Sequence, residues 1–224
     1  MSSEKKKSIL PPILLEESEL ILEKEEFLLN CQREEERILA RQFVGIVCEE
    51  EDLSHMILSG VKFKGCRFWN CSFRFGDFQD VVFENCDLSG CDFGDGHMER
   101  VSIHSCKGVG AKFTGMVLKN LLLAECNFDD GNFDASRLEQ VQVERTRIHN
   151  GNLTGCICRQ VSWRETDLKN ASFFKTSLRG MDFSDSEITG IVVSDDNREL
   201  SGVIVDLYQA AELAKKMGIV IKDV

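Results

Sequence analysis

Residues 61–95 read, in blocks of five, VKFKG CRFWN CSFRF GDFQD VVFEN CDLSG CDFGD. The third residue of every block is Phe or Leu, and the first is Val, Cys or Gly. Extended in both directions, the third-residue register runs from Leu53 to Val193, 29 positions with Gly108 as the one exception to an apolar rule. It takes 11 of the 15 Phe, while the small first position takes seven of the ten Cys. A helix cannot hold this pattern on one face, because five residues turn it about 140° beyond a full revolution. A flat strand fails too, since an odd repeat sends alternate units to opposite faces. The two apolar residues of a block lie two apart and share a face of an extended segment. The three remaining residues, mostly polar, Gly or Asn, form the outward positions and a corner that resets the alternation. The chain therefore coils around a buried axis.

The number of sides follows from the small position. Val61, Val81, Val101, Leu121, Val141, Val161 and Met181 recur once in every four blocks, as do Cys66, Cys86, Cys106 and Cys126, followed by Thr146 and Thr166. Like residues stack every four blocks, which predicts a four-sided solenoid.

Blocks such as Cys86-Asp87-Leu88-Ser89-Gly90 and Thr166-Asp167-Leu168-Lys169-Asn170 resemble the A(D/N)LXX consensus of the pentapeptide repeat proteins, and the likeness spans Glu51 to Asp195. It implies an all-β solenoid, a right-handed quadrilateral β-helix. The handedness comes from the family alone.

The ends depart from the repeat. Residues 1–13 are expected to be disordered. Ile38, Phe43 and Cys48 keep the phase, which places the β-helix over 38–195. Before it, the Leu- and Glu-rich stretch Leu14 to Gln32, with Leu15, Leu22, Leu29 and Phe27 as apolar residues, predicts a capping helix within 14–37. A helix presenting its stripe to a partner is the alternative. After Asp195 the phase is lost, and 196–224 reads as a C-terminal cap: a helix over Leu207 to Met217, a stop at Gly218 and a short strand over Ile219 to Lys222. Such caps cover the unpaired edges and the exposed core of a solenoid end. The tail Gln209-Ala210-Ala211-Glu212-Leu213-Ala214 with Gly218-Ile219-Val220-Ile221-Lys222 resembles the ending of Qnr-like pentapeptide repeat proteins, which implies a homodimer through this end with Leu207, Leu213 and Met217 as candidate contacts.

Composition narrows the function. The 224 residues carry 38 acids and 27 bases, a net charge of −11, which argues against direct nucleic-acid binding. No apolar run approaches a membrane span and no signal-peptide pattern opens the chain, so a cytoplasmic protein is expected. The Cys spacings follow the coil and contain no Cys-x-x-Cys pair, so the thiols read as small core residues rather than zinc ligands or disulfides. His55, His97, His104 and His149 fall on different phases and build no cluster. Asp77, Asp87, Asp92, Asp167 and Asp182 sit at the repeat's own polar position, where Asp supports a turn. Gly108 reads as a gap filled by a neighbour such as Phe113. Neither a catalytic set nor a cofactor site emerges, so no cofactor and no enzymatic activity are expected.

A regular, non-catalytic rod implies a protein partner. The side centred on Phe63 and its stacked equivalents carries six acids, Glu84, Glu125, Glu144, Glu165, Asp182 and Asp185, against four bases, whereas the side centred on Leu58 carries four acids against five bases. The Qnr resemblance implies that the acid-richer side imitates DNA and occupies the saddle of a type II topoisomerase, DNA gyrase or topoisomerase IV. Quinolone resistance is expected less, because the loops that interrupt many Qnr coils have no counterpart between Leu53 and Val193. The alternative is a structural scaffold or interaction protein with an unknown cytoplasmic partner.

Overall fold

The computed structural model describes residues 9–14, 19–22, Leu28, Asn30, Gln32 and 37–222. Over them the chain winds as a β-solenoid of about six turns. Its strands are β1 Glu19–Leu22, β2 Ile38–Leu39, β3 Arg41–Val44, β4 Val47–Glu49, β5 Ile57–Lys64, β6 Arg67–Trp69, β7 Asp77–Glu84, β8 His97–His104, β9 Val117–Ala124, β10 Arg137–Glu144 and β11 Ile157–Arg164. All pairs are parallel, and from β3–β5 to β10–β11 each residue lies beside the one four blocks on, as in Phe63↔Phe83 and Val143↔Trp163. Two adjacent sides are made by the eight-residue strands, which bend between their halves. The other two are tight turns joined by single bridges such as Arg67↔Asp87 and Ser72↔Asp92, apart from the first coils, where β4 pairs with β6 over three residues.

The corner device is a left-handed residue at nearly every fifth position. Apart from Asn197, every described non-glycine residue with positive φ stands at a multiple of five, from Ala40 to Lys175. One left-handed residue turns the chain and returns the next block to the same inward phase, which an L-residue adopts at a cost of about 1–2 kcal/mol. Asp and Asn ease the turns: Asp87, Asp92, Asp167 and Asp182 accept from the backbone N–H two residues on, at 3.0, 2.8, 3.3 and 3.0 Å. Asp77 instead accepts from His97 at 3.1 Å.

Inside, rings stack at the coil spacing. Phe43, Phe63 and Phe83 form one ladder with centroids 5.1 Å apart, and Phe73, Phe93, Phe113 and Phe133 form another at 4.9–5.0 Å with planes within 6° of parallel. Edge-to-face contacts such as Phe63–Phe68 tie neighbouring sides together; such pairs contribute about 0.5–1.5 kcal/mol each beyond burial. Gly108 gives its space to Phe128, whose ring would lie 2.2 Å from a Cβ built there. The filler is thus the residue one coil below, not Phe113, which packs edge-on against the same ring.

The small column holds more than bulk. The Sγ of Cys106 accepts from the Cys86 N–H (3.3 Å), Cys126 Sγ from the Cys106 N–H (3.4 Å), and Thr146 Oγ1 from the Cys126 N–H (3.2 Å). The thiols in turn donate to carbonyls of the preceding coil, as Cys86 does to Phe63 and Cys91 to Phe68. Cys, Thr and Ser recur here because each is small and satisfies a buried corner N–H. Burial pushes the Cys156 thiol up to about 11 and Cys158 up to about 12, which keeps both protonated and unreactive.

Both ends correct the sequence reading. Glu19–Leu22, inside the expected N-terminal helix, is a strand paired with β3 in the register Glu19↔Arg41. Pairing with an open sheet edge outweighs the helix preference of a Glu/Leu segment. Leu28, Asn30 and Gln32 are helical, and Leu28 is buried. Leu15, Phe27 and Leu29 lie outside the described residues, as do residues 1–8, while Leu10 and Ile13, expected in a disordered stretch, are held on the solenoid. At the other end the coil continues past Asp195 to the bridge Asp182↔Ile204. A left-handed Asn197 and a 3-10 turn at Arg198–Leu200 take up two additional residues. Leu200, Val203 and Val205 then pack on the core two places out of the old phase. The helix Leu207–Lys216 is present, whereas the stretch expected as a final strand has none over its described part and Val220 is 85% exposed.

Candidate partner-binding faces and the C-terminal surface

The acid-richer side is built by the second halves of β5 and β7–β11, whose alternation points residues such as 62, 64, 82 and 84 outward while Phe63 and Phe83 point in. Stacking of every fourth block sets its charges against one another. Glu84 meets Lys62 at 2.5 Å and Lys64 at 3.4 Å. Glu125 meets Arg145 at 3.1 Å and His104 at 3.4 Å, and Glu144 meets Arg164 at 3.7 Å and Arg145 at 3.8 Å. The Lys62 ammonium holds the Glu84 carboxyl below its ordinary range, and Arg145 does the same for Glu125. Three of the six candidate acids are thereby neutralised by their own side.

The remaining three lie toward the C-terminal end. Among the described residues Glu165 has no basic side chain within ion-pair distance. Asp182 accepts from the Ser184 hydroxyl at 2.7 Å, and Asp185 from the Ser186 hydroxyl at 3.1 Å. The structure thus replaces a continuous acidic stripe by a mixed-sign ladder that ends in an acid-rich C-terminal section. The neighbouring side is likewise paired: Asp80 with Arg100 at 2.7 Å, Glu99 with Lys119 at 3.2 Å. The alternation of signs from one coil to the next, Glu125 with Arg145 and Glu144 with Arg164, is the signal that per-side counting passes over.

The C-terminal helix is fastened across the last coil. Asp206 and Gln209 form a reciprocal capping box at its start. The Gln209 amide also donates to the carbonyls of Phe183 (2.9 Å) and Ser186 (2.6 Å), and the Lys216 ammonium donates to that of Ile191. These bonds engage carbonyls at the open end of the rod. Of the three candidate dimer residues, Leu213 packs against the core, while Leu207 is 82% exposed and Met217 is also exposed. Tyr208, 83% exposed, and Val220, Ile219 and Ile221 extend the apolar surface beyond the predicted set.

In the last coil, before the helix, a buried carboxylate ties the chain together. Glu199, 2% exposed, accepts from Ser194 Oγ (2.6 Å), Ser194 N–H (3.2 Å) and Lys175 N–H (2.8 Å). Burial raises its carboxyl, but these donors more than offset that and leave it below its ordinary range. Sequence reasoning missed Glu199 because the phase break hid which residue turned inward. Among the described residues no helix is long and apolar enough to cross a membrane.

No curated protein matches the chain by sequence. Among solved structures it is similar to a trypsin-treated variant of QnrB1, a plasmid-mediated fluoroquinolone resistance protein, at 24% identity and TM-score 0.48, over 84% of this chain and 90% of that one. It is also similar to HetL, a pentapeptide repeat protein involved in heterocyst differentiation regulation from the cyanobacterium Nostoc sp. strain PCC 7120, at 14% identity and TM-score 0.47, over 74% and 90%. Two family models match directly, a pentapeptide repeat region over residues 56–133 and pentapeptide repeats in eight copies over 152–190. Together they account for about half of the chain, over the stretch where the four-block register is unbroken, and the chain belongs to the pentapeptide repeat proteins.

Proposed function

We propose that this protein is a non-enzymatic binding rod that pairs through its C-terminal end and docks on a type II topoisomerase. The observation that carries this reading is the joint placement of two features at one end. An uncovered apolar surface, Leu207, Tyr208, Met217 and Val220, lies beside the section of the sheeted side where Glu165 and Asp185 meet no basic partner among the described residues. Pairing two copies through the apolar surface brings both acid-rich sections together at the centre of a doubled rod. That centre is where a two-fold symmetric protein with a basic DNA saddle would be met, with carboxylates standing where phosphates would lie. The mixed-sign ladder farther out limits the electrostatic contact to this centre. The resemblance of the tail to the Qnr-like ending supports the same assignment.

The test is a supercoiling assay with purified gyrase and increasing protein. Inhibition that weakens as salt rises and is relieved by competing duplex DNA is the expected result. Absence of inhibition at every concentration leaves the rod as a scaffold for another protein. A chain that is strictly monomeric at micromolar concentration by light scattering removes the paired geometry.

A further inference from the structure

Outside these faces, one feature of the molecule is built like a ligand site. The corner between the two sheeted sides is lined, coil by coil, by the left-handed residues Gly60, Asp80, Arg100, Asn120, Gln140 and Gln160. The N-terminal arm crosses it. The Leu10 N–H donates to Asn120 Oδ1 at 3.1 Å, and the Ile13 N–H donates to Asp80 Oδ1 at 2.9 Å. The Ile13 carbonyl then passes Gly60, 3.8 Å from where a Cβ would stand. Chain order along the arm is therefore opposite to the winding of the rod, from the level of Asn120 down to that of Gly60.

The fit follows from two repeat lengths. Asn120 and Asp80 are two coils apart, about 9.6 Å at the spacing of parallel strands. Leu10 and Ile13 are three residues apart, about 9.3 Å in a polyproline II segment, the conformation that Pro11 and Pro12 impose on themselves and on Leu10. Between the two donors, Pro11 and Pro12 have no N–H to offer. The coil between the two acceptors carries no acceptor either: Arg100 stands there and turns its guanidinium onto Asp80, Nε at 2.7 Å from Oδ1 and Nη2 at 2.8 Å from Oδ2. That clamp fixes the oxygen that receives Ile13. Asn120 is 1% exposed and Asp80 is also buried, whereas Leu10 and Ile13 hold their own side chains outward, Ile13 at 64% exposure. Recognition thus rests on the main chain, which the two prolines hold extended at the spacing of the acceptors.

We propose that this corner is a peptide groove that reads X-Pro-Pro-X in the polyproline II conformation, with the chain's own Leu10–Ile13 as its resident occupant and a displaceable strap. Acceptor, arginine, acceptor at 120, 100 and 80 mirrors donor, Pro-Pro, donor at 10, 11–12 and 13. Because the arm's apolar side chains face away from the groove, a segment of another protein with the same backbone pattern competes for it. Tethering keeps the occupant at a high effective concentration, so only a strong competitor or a loosened arm opens the site.

Hydrogen exchange on the full-length protein is the first measurement. The Leu10 and Ile13 amides should exchange at least tenfold more slowly than an unstructured chain, with protection unchanged over a hundredfold dilution. Exchange at the unstructured rate, or protection lost on dilution, overturns an arm docked in cis. The second measurement uses a full-length double variant, Leu10→Pro with Ile13→Pro, which removes both donors without touching the solenoid. A fluorescein-labelled peptide SILPPILLE, residues 8–16, should bind this variant at least tenfold more tightly than it binds the natural chain, whose groove is filled. Adding Asn120→Ala should abolish that binding, and the peptide SILAAILLE should bind at least tenfold more weakly. Equal binding to both chains, no binding to the double variant, or equal binding of the two peptides refutes the groove.

Discussion

The interior coils and the two terminal coils solve the same problem differently. Between Leu58 and Val192 each described parallel pair is four blocks apart, and every residue of the central hydrophobic cluster falls at the first or third position of its block. At each end the spacing widens by two positions, Glu19↔Arg41 at one and Asp182↔Ile204 at the other. The interior builds the rod and, at one corner, sets Asp80, Arg100 and Asn120 where the arm docks. The irregular ends carry the arm, the buried Glu199 and the uncovered apolar surface. Regularity in a solenoid builds length and evenly spaced corners, and its interruptions supply the segments and surfaces that use them.

The largest expected effect breaks the C-terminal coil. Glu199→Ala strips one buried acceptor from three donors and should cost about 3 kcal/mol or more. The loss should be local first, seen as faster exchange of the Lys175 and Ser194 amides before global unfolding. Because the folded carboxyl lies below its ordinary value, its contribution is complete above about pH 4.3, the unperturbed Glu value, and disappears as pH falls through the lower folded value. A cap whose stability rises on acidification to about pH 3 would contradict this assignment.

Next comes the interior. Gly108→Ala places a methyl group 2.2 Å from the Phe128 ring at a position where the backbone itself accepts Ala. Overpacking of this kind costs about 1–3 kcal/mol, and neighbouring coils stacked on both sides leave little room for relief. A second change, Phe128→Leu, opens the space, so the double variant should be more stable than the sum of the two single losses implies. Thermal melts of the four proteins measure the coupling. Additive losses would show that Phe128 does not occupy the glycine's space.

How much of this could be read from the chain follows the same division. The phase of Phe and Leu set the inward positions, and the recurrence of Val and Cys every four blocks set the four sides, because both are direct consequences of side-chain alternation and stacking. Glu19–Leu22 was illegible as a strand, since an isolated Glu/Leu segment favours helix and only the open edge of β3 makes a strand better. Leu200, Val203 and Val205 were hidden by two residues that shift the phase without changing the architecture. The thiols of Cys86, Cys106 and Cys126 passed as apolar because their hydrogen bonds exist only when coils stack. Of the six candidate acids, the ion pairs of Glu84, Glu125 and Glu144 form only when coils stack, so counting charges along the chain passes over them, and Glu165 and Asp185 stand outside those pairs.

The smallest expected effect separates those two groups of acids by opposite outcomes in two assays. Glu84→Gln removes a carboxylate held by Lys62 and Lys64, so it should cost about 0.2–1 kcal/mol at low salt and nothing measurable at high salt, where the surface pair is screened. Its effect on gyrase inhibition should be slight, because the charge it removes is already balanced. Glu165→Gln has no such pair to break, so its melting temperature should match that of the natural chain while the protein concentration needed for inhibition rises. If two copies pair as proposed, each such loss is doubled. If both variants moved inhibition equally, the carboxylates would be acting through total charge, and the division of the side into a balanced ladder and an acid-rich centre would have no bearing on binding. If Glu165→Gln altered stability and left inhibition untouched, the acid-rich end would be part of the cap and the partner would dock elsewhere on the rod.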